Sequence, residues 1–297
     1  MAGCATPIGF AGHAPTSATA NSELAFHLDH SMGADQPCYG NAMAPLLRPG
    51  DPPAFFTHNE SGAAPLLLCC DHASRAVPAS LGDLGIASAD LDRHIGWDIG
   101  ALDTAQALAG LIDAPLVASG YSRLVIDCNR WPSGEGSIPE TSDGTVVPAN
   151  RALAAADADA RASACFWPYH NEVERQLDRV AARHERFGFV VVHSCTPVMN
   201  GFHRPWHIGI LWDDDPRLPV PLMAALRRDP ALCVGDNEPY SARASYEYSF
   251  RAHAQPRGLP FCSLEIRYDM VDTPEKAGAF ARRIVGPLRE ALAAALT

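Results

Sequence analysis

The feature that most constrains the fold is a series of short, continuous apolar runs that begins at residue 66 and alternates with longer helix-like stretches. Such alternation is typical of an α/β domain. Because consecutive positions within several of the runs are apolar, they predict strands that are covered on both faces. The predicted strands are LLLCCD at 66–71, LVAS at 116–119, RLVID at 123–127, FVVVHS at 189–194, IGILW at 208–212 and FCSLEIR at 261–267.

Three helices are predicted between and after these strands. The first extends from Ser88, a suitable N-cap, to Ile112. The second covers roughly 151–184, and the third follows Thr273 and Pro274 and continues to the C-terminus. The stretch at 134–148 is predicted to be a long surface loop beside the site.

Residues 1–60 differ in composition from the rest of the chain. Ala, Gly, Pro, Ser, Thr and Asn dominate, and no apolar period persists, so we predict a poorly ordered N-terminal arm. His27 and His30 lie in this arm without a second cluster of metal ligands, and we assign them no chemistry. Residues 61–297 contain no repeat and no convincing linker, which predicts one domain.

Charge and cysteine usage exclude several classes of function. The formal net charge of −11 at pH 7 argues against a broad electrostatic surface for nucleic acid or for an anionic membrane. The sequence has neither an uninterrupted apolar window of about 18 residues nor a secretory signal pattern, so we expect a cytoplasmic protein. Its 9 cysteines include no C-x-x-C pair, which predicts neither a disulfide framework nor a zinc ribbon.

Polar residues that follow the apolar runs are the candidate site residues, because ligands of open α/β sheets bind beyond the carboxyl ends of the strands. His72 and His193 lie at two such ends, and together they would supply half of a zinc site. Asp98 is the third candidate ligand. His94 is spaced i,i+4 from it on the predicted helix, and this spacing leaves open which of the two turns toward the ion. The competing interpretation is that these histidines are hydrogen-bonded structural residues.

Glu265 is a carboxylate inside an apolar strand, where desolvation is costly unless the group has a partner or a task. Burial would raise its pKa toward the range of a general base, whereas the structural alternative is an ion pair with Arg267 or Arg123. Arg123, Arg130 and Arg267 all lie close to strand ends. Guanidinium groups suit bidentate carboxylate recognition, so the sequence predicts an anion-binding crevice.

Several motifs that indicate other classes of enzyme or nucleotide-binding protein are absent. The sequence contains no G-x-S-x-G, no G-x-x-x-x-G-K-[ST], no H-E-x-x-H and no G-x-G-x-x-G after a strand. Serine hydrolase, P-loop and Rossmann interpretations are therefore weak.

Six sequence blocks carry a resemblance to a known family. In chain order they resemble the N-formylglutamate amidohydrolase family and cover essentially 64–290: CCDHASRAVP at 69–78, LDRHIGWDIGA at 91–101, YSRLVIDCNRWP at 121–132, VVVHSC at 190–195, GDNEPYS at 235–241 and GLPFCSLEIRYDM at 258–270. That family is similar to the zinc carboxypeptidase and aspartoacylase group. The resemblance implies a mixed central sheet flanked by helices, in a single hydrolase-like (zinc carboxypeptidase-like) catalytic domain over 61–297.

The resemblance also implies roles for particular residues. His72 and His193 would be metal ligands, Asn129 and Arg130 would bind the substrate carboxylate or carbonyl, and Glu265 would be the general base. Arg130 or another cation would stabilise the oxyanion.

One position departs from the pattern of the related peptidases. They carry a Glu three residues after the first ligand histidine, where this chain has Arg75, so the carboxylate ligand must come from elsewhere. We expect Asp98, with His94 as its rival; His94, Arg123 and Arg267 are otherwise expected to bind substrate.

The implied activity is zinc-dependent hydrolysis of a small anionic N-acyl amino acid, with one Zn²⁺ per chain. The default substrate is N-formyl-L-glutamate, and its products are formate and L-glutamate. The alternative is a non-catalytic anion-binding or regulatory protein on the same fold, an interpretation that the departure at Arg75 favours. The sequence does not indicate the oligomeric state.

Overall fold

A mixed sheet of 7 strands forms the centre of the computed structural model, which describes residues 45–243 and 247–297. The strand order is β1-β3-β2-β6-β11-β9-β10. The two remaining pairs, β4–β5 and β7–β8, are short hairpins. The strands are β1 (Phe55–His58), β2 (Leu66–Cys70), β3 (Leu116–Ser119), β4 (Thr141–Ser142), β5 (Thr145–Val146), β6 (Gly188–Cys195), β7 (Val198–Met199), β8 (Phe202–His203), β9 (Ile208–Leu211), β10 (Val234–Asp236) and β11 (Phe261–Arg267).

The centre of the sheet is parallel. β2 pairs in parallel with both β3 and β6, and β6 pairs in parallel with β11. Two antiparallel pairs, β1 with β3 and β9 with β11, make the sheet mixed, as predicted. Because β2, β6 and β11 run in one direction, the residues at and after their carboxyl ends meet at one edge of the sheet.

Helices cover both faces of this sheet. They are α1 (Ser88–Leu91), α2 (Ala101–Ile112), α3 (Ala155–Arg161), α4 (Trp167–Ala181), α5 (Pro219–Leu226) and α6 (Pro274–Ala295). Short 3-10 turns lie at Ala79–Leu81, Pro148–Asn150, Gln255–Arg257 and Tyr268–Met270, and π turns lie at Ala162–Phe166 and Phe250–Ala254. No helix in the described part of the chain is long and apolar enough to cross a membrane.

Two hydrophobic cores explain why the strand sequences are apolar at every position. Leu66 and Leu68 of β2 belong to the core beneath α2, α5 and α6. Leu67 and Cys69 belong to the opposite core, which contains α4. Successive strand residues point to opposite faces, so a sheet covered on both sides needs apolar residues at both parities.

The prediction of a strand at 123–127 is wrong. This segment is buried and forms turns, and it has no partner strand. Its carbonyl groups are satisfied by side chains instead: Asn150 Nδ2 donates to the Leu124 carbonyl over 2.9 Å, and Arg161 Nη1 donates to the Val125 carbonyl over 3.1 Å.

The predicted helix Ser88–Ile112 is interrupted. It comprises α1 and α2, separated by turns over 92–100. Gly100 sets the start of α2, because its φ of +76° lies in the left-handed region and an added Cβ would lie 2.0 Å from the carbonyl oxygen of Val271. The second predicted helix is divided by the π turn at Ala162–Phe166, and the third, α6, begins as predicted after Thr273, whose side chain accepts from Lys276 N.

The predicted boundary of the N-terminal arm at residue 60 is also wrong. β1 lies within 1–60 and pairs with β3, and the Gly120 N–H donates to the Ala54 carbonyl over 2.8 Å. Residues 45–60 therefore belong to the same unit as the rest of the fold, which spans Pro45–Thr297. His27 and His30 lie outside the described residues. The strand β10 and the helix α5 were not predicted, because both are short and carry no strong periodic signal.

We expect β1 to contribute measurably to stability. A chain that begins at Ser61 loses the strand that covers the edge of β3, so its Tm should lie about 5 °C or more below that of a chain that begins at Pro45. Scanning calorimetry of the two chains measures this difference. Phe56→Ala in the longer chain is the control, because the Phe56 side chain is exposed and its removal should change Tm little. Equal Tm values for the two chains would contradict the structural role of β1.

Candidate active site

The candidate site lies at the edge of the sheet where β2, β6 and β11 end. His72 follows β2 by two residues, His193 lies near the end of β6, and Glu265 lies on β11. His193 and Glu265 are directly paired across two parallel strands, so their side chains stand next to each other on one face. Together they line a cavity of about 240 Å³, which is also lined by every other predicted site residue except Arg267.

The imidazoles of His72 and His193 converge on Asp98. His72 Nδ1 lies 3.3 Å and His193 Nδ1 lies 3.0 Å from the same oxygen, Oδ2 of Asp98. The backbone N–H of Asp98 also donates to the His72 carbonyl over 2.9 Å, which fixes the distance between these two residues. All three side chains are buried.

The outer nitrogen of each histidine faces a second carboxylate. His72 Nε2 lies 2.7 Å from Asp127 Oδ1, and His193 Nε2 lies 3.4 Å from Asp71 Oδ2. A carboxylate only accepts, so each Nε2 carries the donated proton and leaves the Nδ1 lone pair directed at Asp98 when the ring is neutral. Histidines that bind metal ions are held in this way, with one nitrogen on the ion and the other donating to a carboxylate.

The charges of this cluster shift one another. Burial alone would raise the pKa of Asp98, but contacts with His72 and His193 hold the pKa of that carboxyl well below its usual range. Burial alone would lower the pKa of His72 and of His193, and the surrounding carboxylates raise both instead. The cluster therefore favours positive charge at its centre.

The donor set of His72, Asp98 and His193 fits a divalent cation. Their ligand atoms all lie within 4.8 Å of one another. With both rings neutral, two nitrogen lone pairs and a carboxylate oxygen face each other, and a cation is what makes such an arrangement favourable. Two His and one carboxylate are a common set at catalytic zinc sites.

The structure brings Asp98, and not His94, to the two histidines. The helical spacing argument for this pair is wrong, because residues 94–98 form turns. His94 lines the cavity farther out, where its Nε2 lies 3.6 Å from Asp143 Oδ2.

Glu265 has the environment of a proton acceptor. Its side chain is buried, with the residue only 8% exposed, and its Oε2 has no hydrogen-bond partner among the residues that the structure describes. Burial raises the pKa of Glu265 to about 7; His193 lowers it, whereas Asp98 and Glu247 raise it further. The alternative ion pairs with Arg123 and Arg267 are not formed in the described part of the chain, since neither guanidinium lies within 4.0 Å of this carboxylate.

The three predicted arginines differ in their surroundings. Arg123 lies 3.3 Å from Asp98 Oδ1 and 2.8 Å from Asp127 Oδ2, so it links the central carboxylate to an outer one. Arg130 lines the cavity and forms no ion pair with any described residue, which leaves its guanidinium available to a ligand.

The expectation that Arg267 binds substrate is not supported by its position. It lies at the last residue of β11, beyond the cavity, and pairs with Asp269 over 2.8 Å. Its Nη1 donates to the Arg204 carbonyl over 2.8 Å. Glu265 and Arg267 are two residues apart and share one face of β11, but Arg267 lies farther along the strand, past the end of the cavity.

Residues 127–130 carry three of the site side chains on an irregular segment that tertiary hydrogen bonds fix in place. Asn129 Oδ1 accepts from the backbone N–H groups of Tyr248 and Ser249, both over 3.0 Å, and its Nδ2 lies 3.5 Å from His193 Nε2. The Cys128 carbonyl accepts from His170 Nε2 over 2.8 Å.

A second histidine orients His170. His170 Nδ1 lies 2.9 Å from His253 Nε2, and His253 Nδ1 lies 2.5 Å from Glu174 Oε1. Burial and the neighbouring His253 lower the pKa of His170 to about 3, so the ring is neutral, donates from Nε2 and accepts at Nδ1. This relay of Glu174, His253 and His170 anchors the segment that carries Asp127, Asn129 and Arg130.

Sequence reasoning missed several residues of the site. Asp127 ends the run RLVID and Asp71 precedes His72 directly, but neither was predicted to be a site residue. Tyr240 and Glu247 line the cavity from a region without strong secondary-structure signal, so only their place within the family-like blocks or near them pointed to them.

Comparison with known proteins gives a consistent result. The sequence matches the N-formylglutamate amidohydrolase (FGase) family over residues 64–271. No curated protein matches the chain.

Two solved structures are similar to this one. A gene product of Agrobacterium tumefaciens is 33% identical, with a TM-score of 0.80 over 84% of this chain and 98% of that chain. An N-formylglutamate amidohydrolase from Ralstonia eutropha is 19% identical, with a TM-score of 0.64 over 81% of this chain and 97% of that chain. At 19% identity the second likeness concerns the fold.

The relay behind Cys128 predicts a stability effect. His170→Phe removes the donor to the Cys128 carbonyl and the acceptor for His253, so it should lower the free energy of unfolding by about 2 kcal/mol or more. Urea unfolding at neutral pH measures the loss. His184→Phe is the control, because His184 is only partly buried and its side chain takes part in no described hydrogen bond. A His170→Phe variant as stable as the wild type would show that the relay does not hold this segment.

Proposed function

We propose that this chain, which belongs to the N-formylglutamate amidohydrolase family, hydrolyses the amide bond of a small N-acyl amino acid. N-formyl-L-glutamate is the default substrate, and formate and L-glutamate are then the products. The observation that carries the proposal is the buried Glu265 carboxylate, whose unpartnered oxygen stands beside the cluster of His72, Asp98 and His193.

We further propose that His72, Asp98 and His193 hold one Zn²⁺ per chain. The convergence of their ligand atoms supports a divalent cation, and the set of two nitrogens and one carboxylate supports zinc. When bound, zinc acts as a Lewis acid that polarises an amide carbonyl and makes a water molecule acidic near neutral pH. Asp127 and Asp71 keep the two imidazoles in the tautomer that presents Nδ1.

Glu265 moves the proton in the proposed reaction. Its pKa of about 7 suits a group that takes a proton from the attacking water and later gives it to the departing amine. Because its Oε2 has no hydrogen-bond partner in the described part of the chain, no contact described there must break before it accepts the proton.

Arg130 supplies positive charge to the substrate. Its unpaired guanidinium on the cavity wall suits a substrate carboxylate, or the oxygen that becomes negative as water attacks the carbonyl. Asn129 precedes it in the chain and also lines the cavity, where its side-chain amide suits the substrate carboxylate or carbonyl. The geometry of Arg123, which is held by two carboxylates, supports a role in keeping Asp98 and Asp127 ionised.

The alternative of a non-catalytic binding protein loses its main support. The departure at Arg75 favoured it, but Arg75 is an exposed residue that pairs with Asp92, and the convergence of Asp98 with His72 and His193 supports Asp98 as the carboxylate ligand. A protein that only binds anions has no use for a desolvated carboxylate beside two histidines. The cytoplasmic location stays a prediction.

Removing the proton acceptor should remove turnover without removing the metal. We expect Glu265→Gln to lower kcat for N-formyl-L-glutamate by about 10²- to 10⁴-fold, since a positioned general base contributes that much. Its metal content should equal that of the wild type. Glu275→Gln, at the exposed start of α6, is the matched control and should keep full turnover. Near-normal turnover of Glu265→Gln would remove Glu265 from the reaction.

Metal dependence can be tested directly. The purified protein should hold about one zinc per chain, lose activity after treatment with a chelator and regain it when zinc is added. His72→Ala and His193→Ala should each fail to retain zinc in elemental analysis, whereas His184→Ala should retain it. Full activity of a protein with less than about a tenth of a zinc per chain would contradict the metal proposal.

A further inference from the structure

Arg204 is a buried cation without a carboxylate partner. The residue is 5% exposed, and no carboxylate of the described residues lies within 4.0 Å of its guanidinium. Its acceptors are neutral: Nη1 donates to the Thr196 carbonyl over 3.1 Å and to Thr196 Oγ1 over 3.2 Å, and Nη2 donates to the Tyr240 hydroxyl over 2.8 Å. Burying a charge is costly unless an opposite charge compensates it, so we expect a ligand to supply a negative group near this cation.

Arg204 contacts the wall of the cavity. Thr196 and Tyr240 both line the cavity, and Arg204 lies directly behind them. The guanidinium carbon also lies 4.8 Å from the centre of the Tyr240 ring. Arg161, the other buried arginine without a carboxylate, differs in this respect, because its acceptors are Asn150 and backbone carbonyls and it lines no described cavity.

The hydrogen bond from Arg204 fixes what Tyr240 offers to a ligand. The Tyr240 oxygen accepts from Arg204, so its own O–H is free to donate. Burial and the nearby Glu265 raise the pKa of Tyr240, which keeps the phenol protonated at neutral pH. Tyr240 is 41% exposed and lines the cavity, so a ligand in the cavity can reach it.

The sheet is shaped to hold Tyr240 at this place. Gly209 on β9 lies opposite Glu265, and a Cβ at Gly209 would lie 1.7 Å from the carbonyl oxygen of Glu238. The missing side chain lets the backbone before Tyr240 lie against the sheet. Asn237 then fixes this backbone, since its N–H donates to the Ile210 carbonyl over 3.0 Å and its Oδ1 accepts from Trp212 N over 3.0 Å.

We infer that Tyr240, with Arg204 behind it, is the specificity-determining residue that binds the side-chain carboxylate of the substrate. The inference rests on the proposed function and names the residues of the same site that recognise this carboxylate. An N-acyl dicarboxylic amino acid carries two carboxylates, and the cavity offers two separate sources of positive potential. One is the unpaired Arg130, and the other is the Tyr240 hydroxyl backed by Arg204.

The test compares two substrates of nearly the same shape, N-formyl-L-glutamate and N-formyl-L-glutamine, on the zinc-loaded full-length protein. The second lacks only the side-chain negative charge. We expect the wild type to prefer the glutamate derivative by about 100-fold or more in kcat/KM, because a desolvated charged hydrogen bond discriminates strongly. Tyr240→Phe should raise KM for the glutamate derivative by about 10-fold or more and leave the glutamine derivative nearly unchanged.

Variants of Arg204 separate its charge from its structural role. Arg204→Met should abolish the preference, and Arg204→Lys should keep part of it. Arg161→Met is the matched control: it removes another buried arginine and should lower Tm while leaving the preference unchanged. If Arg204→Met does not fold, Tyr240→Phe alone still decides the matter, because it retains the ring and removes only the hydroxyl.

Two outcomes would overturn the inference. One is an unchanged preference in Tyr240→Phe. The other is a fall of kcat for both substrates with KM unchanged, which would put the hydroxyl at the amide carbonyl instead of at a carboxylate.

A binding measurement distinguishes these failures from a failure of the proposed function. Calorimetric titration with L-glutamate and with L-glutamine requires no turnover. If the wild type hydrolyses neither N-formyl compound but binds L-glutamate more tightly than L-glutamine, and Tyr240→Phe removes that difference, the proposed reaction is wrong and the carboxylate site stands. Equal binding of both amino acids by an active wild type would refute the site alone.

Discussion

Nδ1 of His72 and Nδ1 of His193 point at one carboxylate oxygen, Asp98 Oδ2, and the rest of the site is arranged around that contact. The contact is unfavourable between neutral imidazoles and a carboxylate, because three lone pairs then face one another. Protons on the rings or a shared cation make it favourable. The surrounding groups reinforce this demand, since Asp127 and Asp71 take up the outer nitrogens and thereby fix the direction of the inner ones.

The fold maintains this crowding by drawing each group from a different rigid element. One imidazole follows β2, the other lies on β6, and the central carboxylate lies just before α2. Arg123 bridges Asp98 and Asp127, so the negative charges that would otherwise repel are held together by one guanidinium. Glu265 lies on β11 beside His193, and no guanidinium of the described residues pairs with its carboxylate, which suits the proposed role in proton transfer.

Much of the fold was predictable because a strand that is buried on both faces needs apolar residues at consecutive positions. Five of the six predicted strands exist for that reason. The sixth, at 123–127, was wrong because apolar side chains report burial and not hydrogen-bonding partners, and here those partners are Asn150 and Arg161. The break before α2 was missed since Gly100 needs its special conformation only because the Val271 carbonyl approaches it, a contact far away in sequence.

The candidate site was likewise predictable only in part. His72, His193 and Glu265 were predictable from their places at strand ends, and the structure brings them to one cavity. Arg267 lies outside the cavity and pairs with Asp269, because proximity to a strand end does not tell on which side of the cavity wall a long side chain lies. Arg204 was not predicted as a site residue because it follows a two-residue strand that has no sequence signal.

The irregular path of residues 121–130 has a consequence for how this family can diversify. Asp127, Asn129 and Arg130 lie on backbone that belongs to no sheet ladder, and side chains from elsewhere hold it in place. Replacing Arg130 therefore perturbs no strand register, whereas replacing His193 changes a residue in the middle of the sheet. The residue proposed to bind substrate, Arg130, and the proposed metal ligand His193 thus lie on different parts of the scaffold, so a change at Arg130 leaves the strand that carries His193 intact.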